Sequence, residues 1–190
     1  MVASEERVES RLVIRCISTT MYVLMSQSFG ARPVLLLVGG GGFAWEAKSL
    51  WLNLPHSVCW AFVIPDDSVT PEWTEVEFVH KLPAFSLRSE KSVFVRLWRS
   101  MNCLLKALAL VNRMRPGLVI CIGSAMALPV LLAARAFGAQ SVFVESITRT
   151  NELSRTGQVV ARFGLADLFL VQWPELADER RKIRFEGTVL

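Results

Sequence analysis

A run of four glycines, Gly39 to Gly42, follows an apolar segment and precedes a stretch of helical character. A strand that runs through glycines into a helix exposes backbone N–H groups at the positive end of the helix dipole, which suits a phosphate group. Gly39, Gly41 and Ala44 also fit the loose G-x-G-x-x-[G/A] pattern of dinucleotide sites, and Asp66 follows a second strand. The run predicts a phosphate or sugar contact, but a tight turn with close helix packing explains it as well.

Small or polar side chains come directly after three more apolar segments. They are Gly123 with Ser124, Glu145 with Ser146, and Gln172 with Trp173. A small-residue turn lets a ligand approach the backbone, although a plain strand-to-helix turn has the same composition. Because Glu145 ends a strand, its carboxylate is expected to point into the edge of the sheet, where Arg149 is suited to neutralise it or hold a phosphate. Trp173 is equally suited to stack on a sugar or base and to cover the core.

The segment Ser92–Arg113 predicts a long helix with two kinds of surface. Apolar residues, Trp98 among them, recur at helical spacing and fall within roughly a third of the helix circumference. The basic residues Arg96, Arg99 and Lys106 lie away from that stripe. A core-facing stripe with a solvated basic face explains this pattern. A helix that lies on anionic lipid or receives a polyprenyl-phosphate acceptor is the alternative explanation.

The elements that must position these residues alternate between strand and helix. The predicted strands are Pro33–Val38, Val58–Ile64, a weaker Glu75–Val79, Leu118–Ile122, Val142–Val144, Leu168–Val171 and Ile183–Glu186, and the predicted helices are Phe43–Asn53, Ser92–Arg113, Met126–Phe137 and Ser154–Phe163. Fully apolar strands alternating with helices indicate an α/β fold, a Rossmann-like parallel sheet with helices on both faces. Ligands of such sheets bind at the carboxyl ends of the strands, so the loops at Gly39, Gly123 and Glu145 are expected to share one rim.

Length and composition bound the class of protein. A chain of 190 residues favours one domain, and we expect residues 32–190 to form it after an extension, 1–31, that is poorly ordered or a short helix. Hydrophobic residues make up 52% and charged residues 20%, and the mean hydropathy of +0.39 favours apolar surface hidden against a partner or lipid. The net charge of +4 does not by itself indicate nucleic acid, and no such partner is expected.

Neither a metal site nor a transmembrane segment is expected. The four cysteines form no C-x-x-C pair, the two histidines lie far apart in sequence, and no Asp-x-Asp motif is present. No metal or other cofactor is therefore expected. Proline, glycine and β-branched residues break the uncharged stretches into shorter pieces, so none of them is interpreted as a transmembrane span.

The run from Phe143 to Leu176 resembles a known family. It contains Val-Glu-Ser, Arg149, a Leu-Ser-x-Thr-Gly segment, Ala-Asp and Gln-Trp-Pro-Glu-Leu. These residues resemble the membrane-associated subunit of the split N-acetylglucosaminyltransferase of lipid-linked N-glycan assembly, and still more its bacterial counterparts in exopolysaccharide and capsule synthesis. The glycine loop, the Arg115-Pro116 turn and Gly187 occur in the matching order, so the resemblance covers roughly residues 33–190.

The resemblance implies a GT-B N-terminal half-domain whose partner, a small glycosyltransferase subunit, carries most of the UDP-sugar site. This chain would then be an acceptor-side subunit that acts on a polyprenyl-diphosphate-linked saccharide, bound peripherally at the cytoplasmic face of the cell membrane. The expected contacts with substrate or phosphate are Gly40, Gly41, Gly42, Gly123, Ser124, Ser146, Arg149, Gln172, Trp173 and Glu175. Arg96, Trp98, Arg99 and Lys106 are expected on the membrane or acceptor helix. The family's loop usually ends in Gly-Gly-His, whereas Phe43 follows Gly42 here, so Glu145 is the candidate base or hydroxyl contact.

Two alternatives remain open at this point. The first is a non-catalytic membrane scaffold that recruits and activates a soluble partner, which Phe43 in place of histidine favours. The second is a small NAD(P)-binding protein, which the glycine pattern and Asp66 allow. No Tyr-x-x-x-Lys pair or substrate domain accompanies that pattern, so the dinucleotide alternative is the weaker of the two.

Overall fold

The computed structural model describes residues 17, 20–21, 23–25, 32–70, 78–85 and 93–189. The strands are β1 (Val34–Leu37), β2 (Trp60–Pro65), β3 (Phe78–Leu82), β4 (Leu118–Ile122), β5 (Gln140–Val144), β6 (Leu168–Val171) and β7 (Ile183–Phe185). The helices are α1 (Gly42–Leu52), α2 (Val93–Met114), α3 (Ala127–Ala136) and α4 (Arg155–Phe163). Two short 3₁₀ turns, Pro174–Leu176 and Glu179–Arg181, lie between β6 and β7.

The seven strands of the described residues form one parallel sheet in the order β3-β2-β1-β4-β5-β6-β7. The order reverses between β1 and β4, which makes their carboxyl ends the topological switch point where sheets of this kind bind ligands. Because every strand points the same way, the loops after β1, β4, β5 and β6 lie along one edge, here called the carboxyl rim. The predicted Rossmann-like α/β class is confirmed.

Two apolar layers cover the two faces of the sheet. Within β1, Val34 and Leu36 face one layer while Leu35 and Leu37 face the other, as the two-residue period of a strand requires. Helix α1 packs in the first layer, and α2, α3 and α4 pack in the second. Strands buried on both faces explain why the segments are continuously apolar rather than alternating.

Helical residues from the N-terminal part of the chain join the first layer. Ile17, Met21 and Met25 recur at a spacing of four and are all buried against the sheet. The described residues of this part are thus helical. The division into an extension ending at residue 31 and one domain beginning at 32 stays a prediction.

Strand β3 ends later than the sequence predicts. The expected strand ended at Val79, whereas the observed one continues through His80 and Lys81 to Leu82, and residues 75–77 lie outside the described part of the chain. Parallel pairing with β2 sets its extent, because Phe78 lies opposite Ala61 and Leu82 opposite Pro65. An edge strand keeps one side in contact with solvent, so polar residues do not end it.

Helix α2 is much longer than the strands beside it. Its 22 residues span about 33 Å, whereas a strand of five residues spans about 17 Å. Its buried residues begin only at Cys103, and all residues from 93 to 99 are exposed. Helix α2 runs from β3 back to the start of β4, and the residues that it buries lie from Cys103 onward. Its extra length is therefore at the first turns, which extend past the carboxyl rim.

Candidate functional site at the carboxyl rim

The glycine run forms the turn between β1 and α1. Gly39 is buried, whereas Gly40, Gly41 and Gly42 are exposed. Gly41 precedes the helix with a φ of 63°, a conformation that glycine adopts at little cost, and no side chain caps the helix start. The first N–H groups of α1 therefore face the rim without a side-chain partner, as an anion-binding turn requires. The predicted phosphate contact has a suitable geometry and stays a prediction.

The ring of Phe43 lies across the switch point, between the ends of β1 and β4. A Cβ atom built on Gly39 would lie 2.9 Å from Phe43 Cβ, and one built on Gly123 would overlap Phe43 Cε1. Gly123 has a φ of 55°, so glycine is favoured there for its conformation as well as for the space. Ser124 lies beside this contact, half-buried, and its hydroxyl accepts a hydrogen bond from Met126 N at 3.3 Å. The turn after β4 is thus shaped around an aromatic ring of this chain.

A buried carboxylate that the sequence reasoning missed lies beneath the glycine turn. Glu46 of α1 is 3% exposed and accepts three hydrogen bonds. Its donors are Ser146 Oγ at 2.6 Å, Ile147 N at 3.1 Å and Gln172 Nε2 at 2.7 Å. This one side chain joins α1 to the loops after β5 and β6. Its spacing with the buried residues Ala47 and Leu50 was the available signal, because it places Glu46 on the inward face of the helix.

Gln172 and Trp173 complete the contacts between the rim loops. Gln172 is 1% exposed, and besides Glu46 its amide donates to Glu145 O at 2.9 Å and accepts from Val189 N at 2.9 Å. The indole of the half-buried Trp173 donates to Ile147 O at 2.7 Å. These polar groups already have hydrogen-bond partners within the chain. Their expected substrate contacts stay predictions, and the geometry supports a role in holding the loops.

Glu145 does not extend into the rim as expected. Its side chain is fully buried, with Oε1 accepting from Ser146 N at 3.1 Å and Oε2 accepting from Ser154 N and Oγ at 3.0 and 2.9 Å. Burial raises the pKa of Glu145 above its usual value, and the hydrogen bonds from Ser154 and Ser146 oppose that rise. The carboxylate anchors the first residue before α4. Its role as a base stays a prediction, although the described contacts fit a structural anchor better.

The remaining predicted residues are more exposed. Arg149 lies on the surface and closes a turn, because its N–H donates to Ser146 O at 3.0 Å. Glu175 is exposed in the 3₁₀ turn after Trp173. Arg96, Trp98, Arg99 and Lys106 are all exposed on α2, where Trp98 has 74% of its surface accessible. The first turns of this helix lie beyond the same edge as the glycine run.

Other features of the described residues lie away from the rim. A cavity of about 370 Å³ opens at the amino ends of β4, β5 and β6, on the opposite edge of the sheet, and includes Gln140, Asp167 and Lys182 in its lining. Within the described residues, no group of three or more His, Cys, Asp or Glu side chains is placed to hold a metal ion. No helix in the described part of the chain is long and apolar enough to cross a bilayer.

The fold and the rim define a Rossmann-like half-domain of the GT-B type. A crystal structure of MurG from Acinetobacter baumannii aligns with it at a TM-score of 0.64 and 14% sequence identity, covering 84% of this chain and 46% of MurG. At that identity the likeness shows the fold alone. Residues 80–189 match the family described as oligosaccharide biosynthesis protein Alg14 like, and the chain belongs to this family. The resemblance to the family of the N-glycan-assembly subunit, inferred from the segment Phe143–Leu176, is thereby confirmed. The closer likeness to bacterial exopolysaccharide and capsule counterparts stays a prediction.

Curated relatives carry a consistent name. The human and rat proteins named UDP-N-acetylglucosamine transferase subunit ALG14 are 29% and 30% identical over 119 and 131 residues. Those matches cover 60% and 66% of this chain and 54% and 58% of the relatives. The namesake from Yarrowia lipolytica is 31% identical over 90 residues, 44% of this chain and 41% of that protein. The chain thus spans about half the length of the curated relatives it matches.

Proposed function

We propose that this chain is the acceptor-side, membrane-associated subunit of a two-subunit, UDP-sugar-dependent glycosyltransferase. Its reaction transfers a sugar from UDP to a hydroxyl of a polyprenyl-diphosphate-linked saccharide, in exopolysaccharide or capsule synthesis at the cytoplasmic face. The bond between the sugar and UDP breaks, a glycosidic bond forms, and the acceptor hydroxyl loses its proton. Membership of a family whose relatives are named as UDP-N-acetylglucosamine transferase subunits carries this proposal.

The rim supports a cleft that a second polypeptide completes. The match to MurG covers 46% of that chain, as expected if this chain supplies one Rossmann-like half. Ligands bind outside the carboxyl ends of parallel strands, so the second wall of the cleft must face the rim formed here. In this proposal the partner is a small glycosyltransferase subunit that carries most of the UDP-sugar site.

The exposed glycine turn supports phosphate chemistry. The N–H groups at the start of α1 face the rim with no side-chain cap, and the dipole of the 11-residue helix favours negative charge there. Fixed dipoles of this kind stabilise a departing diphosphate without reorganising during the reaction. In this proposal Gly40, Gly41 and Gly42 contact a phosphate of the UDP-sugar or of the acceptor.

The first turns of α2 support contact with an anionic membrane surface. Phe94 and Trp98 are 84% and 74% exposed, and Arg96, Arg99 and Lys106 lie on the same helix. Apolar side chains enter the lipid headgroup region while basic side chains attract anionic lipid. Because these turns extend past the carboxyl rim, membrane contact here keeps the rim close to a lipid-linked acceptor.

A scaffold without chemistry of its own is the second candidate. The ring of Phe43 covers the switch point, and the carboxylate of Glu145 is buried among loop contacts. Both observations favour a subunit that docks the partner and the membrane and leaves catalysis to the partner. The two candidates differ in whether a change confined to the rim alters turnover.

The test is co-expression of this chain with a small UDP-sugar-binding partner, followed by transfer assays on membranes with UDP-N-acetylglucosamine and other UDP-sugars. Gly42 allows a sharp variant pair, because a Cβ there meets nothing within 4 Å and the residue is the first of α1. Gly42→Asp introduces a negative charge that the helix start favours by about 0.3–1 kcal/mol and that a phosphate group opposes. Gly42→Asn is the uncharged control of the same size.

The catalytic version predicts turnover only from the pair and a fall of about tenfold in kcat/KM for Gly42→Asp relative to Gly42→Asn, equivalent to about 1.4 kcal/mol. A complex that forms normally with both variants and turns over at equal rates favours the scaffold. Full activity of this chain alone, or no association with any small partner subunit, contradicts the proposal.

A further inference from the structure

The carboxylate of Glu46 links three separate parts of the carboxyl rim. It belongs to α1, and its hydrogen-bond donors come from the loop after β5 and from the first residue after β6. A buried carboxylate needs such donors, because unpaired burial of its charge is costly. Glu46 has them on both oxygens. The side chain therefore ties α1 to the loops after β5 and β6.

The hydrogen bond from Ser146 to Glu46 fixes which hydroxyl group donates in a second hydrogen bond, which reaches the surface at Thr148. Ser146 has one hydroxyl proton, which it donates to Glu46 Oε1 at 2.6 Å. Thr148 Oγ1 lies 3.0 Å from Ser146 Oγ, so the threonine hydroxyl must be the donor of that second bond. The exposed Thr148 is then left with lone pairs that accept hydrogen bonds at the rim.

The same carboxylate holds the backbone of the turn that carries Thr148. Ile147 N donates to Glu46 Oε2 at 3.1 Å, while Ile147 O accepts from the indole of Trp173 at 2.7 Å. Arg149 N closes the turn by donating to Ser146 O at 3.0 Å. The turn therefore presents a hydroxyl oriented as an acceptor next to an exposed guanidinium group.

We infer that Glu46 is a positioning residue for the lipid-linked acceptor: it orients the Ser146–Arg149 turn so that Thr148 accepts a sugar hydroxyl and Arg149 binds the acceptor's diphosphate. This inference rests on the proposed function. A guanidinium group matches phosphate oxygens and a fixed lone pair matches a sugar hydroxyl, so the turn suits a ligand that carries both. Glu46 itself is buried and acts only through this turn.

Kinetics of the reconstituted pair provide the first test, with Glu46→Gln, Thr148→Val and the double variant. Glu46→Gln keeps the size of the side chain but loses one acceptor oxygen, and Thr148→Val removes the exposed hydroxyl together with its hydrogen bond to Ser146. Each single variant is expected to lower kcat/KM for the acceptor at least tenfold, with the KM for the UDP-sugar changed by less than about twofold. The double variant is expected to be little worse than Glu46→Gln, because Thr148 is then no longer oriented.

Two serines near opposite ends of β5, Ser141 within the strand and Ser146 in the loop after it, distinguish an effect on positioning from an effect on stability. Ser146 and Ser141 are both buried, and their hydroxyls donate to carboxylates at 2.6 and 2.8 Å, but Ser141 pairs with Asp167 at the opposite edge. Ser146→Ala and Ser141→Ala are expected to lower the Tm by similar amounts. Only Ser146→Ala is expected to impair use of the acceptor. Equal kinetic effects of the two variants, or additive effects of Glu46→Gln and Thr148→Val, overturn the inference.

Amide hydrogen exchange on the full chain without its partner gives a readout independent of turnover. Glu46→Gln is expected to speed exchange in the segment 147–149 at least tenfold, and Ser141→Ala is expected to leave that segment unchanged. Unchanged exchange in Glu46→Gln overturns the positioning role whether or not the pair is active. Faster exchange together with an inactive wild-type pair counts against the proposed function instead, and leaves Glu46 as the residue that orders the turn.

Discussion

Replacing Gly123 by alanine tests the packing at the switch point most directly. The residue follows β4 with a φ of 55°, and the ring of Phe43 occupies the space where a side chain would begin. A Cβ there would overlap Phe43 Cε1 and lie 2.8 Å from Cδ1, with Ser146 Cβ at 3.2 Å on another side. The ring must therefore move, and the backbone must keep a conformation that alanine disfavours.

The two costs have different origins and are separable. Left-handed backbone costs alanine about 1–2 kcal/mol, and forcing a packed ring aside costs about 1–3 kcal/mol, so Gly123→Ala is expected to lower the free energy of unfolding by about 2–5 kcal/mol. Gly164 is the matched control. It has the same φ of 55° after α4, and a Cβ there meets nothing within 4 Å. Gly164→Ala is expected to cost only the backbone part, about 1–2 kcal/mol.

Urea unfolding of both variants, of Phe43→Ala and of Phe43→Ala/Gly123→Ala measures the difference. Without the ring, Gly123→Ala is expected to cost no more than Gly164→Ala, so the cycle yields a coupling of about 1–3 kcal/mol between positions 43 and 123. If Gly123→Ala costs the same as Gly164→Ala whether or not Phe43 is present, the ring does not cover the switch point.

Three further outcomes follow from the described contacts. Because burial raises the pKa of Glu145, the stability contributed by its protonated form is lost as the pH rises through that pKa. In urea unfolding between about pH 4 and about pH 7, the free energy of unfolding of Glu145→Gln relative to wild type should therefore increase with pH. Parallel curves would refute this. Gly157→Ala places a Cβ against Glu145 Oε2 and should reduce the free energy of unfolding by about 2–4 kcal/mol, whereas a neutral effect would mean that the carboxylate is not held there. Phe94→Ala on α2 should weaken sedimentation with anionic liposomes at least threefold, while Phe163→Ala, another exposed phenylalanine at 62%, should not; equal effects would remove α2 as the membrane contact.

The order of elements in the sheet could be derived from the apolar runs and from the turn residues that separate them. Each run that was expected to be buried on both faces is a strand of the parallel sheet, and glycine marks the turns after β1 and β4. The third strand was predicted to end too early, because an edge strand pairs on one side only and carries polar residues that resemble a loop. Ser154 was expected to begin the fourth helix, and it is the residue that caps it.

The chemistry of the rim was harder to derive, because it depends on which side chains meet across long separations in sequence. Glu145 was chosen from its position after a strand, yet its carboxylate turns under the rim toward Ser154. Glu46 was overlooked because a glutamate in a helix usually faces solvent. Its partner Ser146 is 100 residues away and Gln172 is 126 residues away.

Local pattern therefore specified the elements, their order and the polar or small residues that follow the strands at one edge of the sheet, since burial and backbone conformation act on neighbouring residues. It also indicated the family, through the block Gln172–Leu176. The orientation of each polar group was set by packing of distant segments, because a buried carboxylate turns toward the donors that the folded chain brings to it. That is why Glu46 and Glu145, alike in type, hold different loops, and why a phenylalanine ring covers the switch point between them.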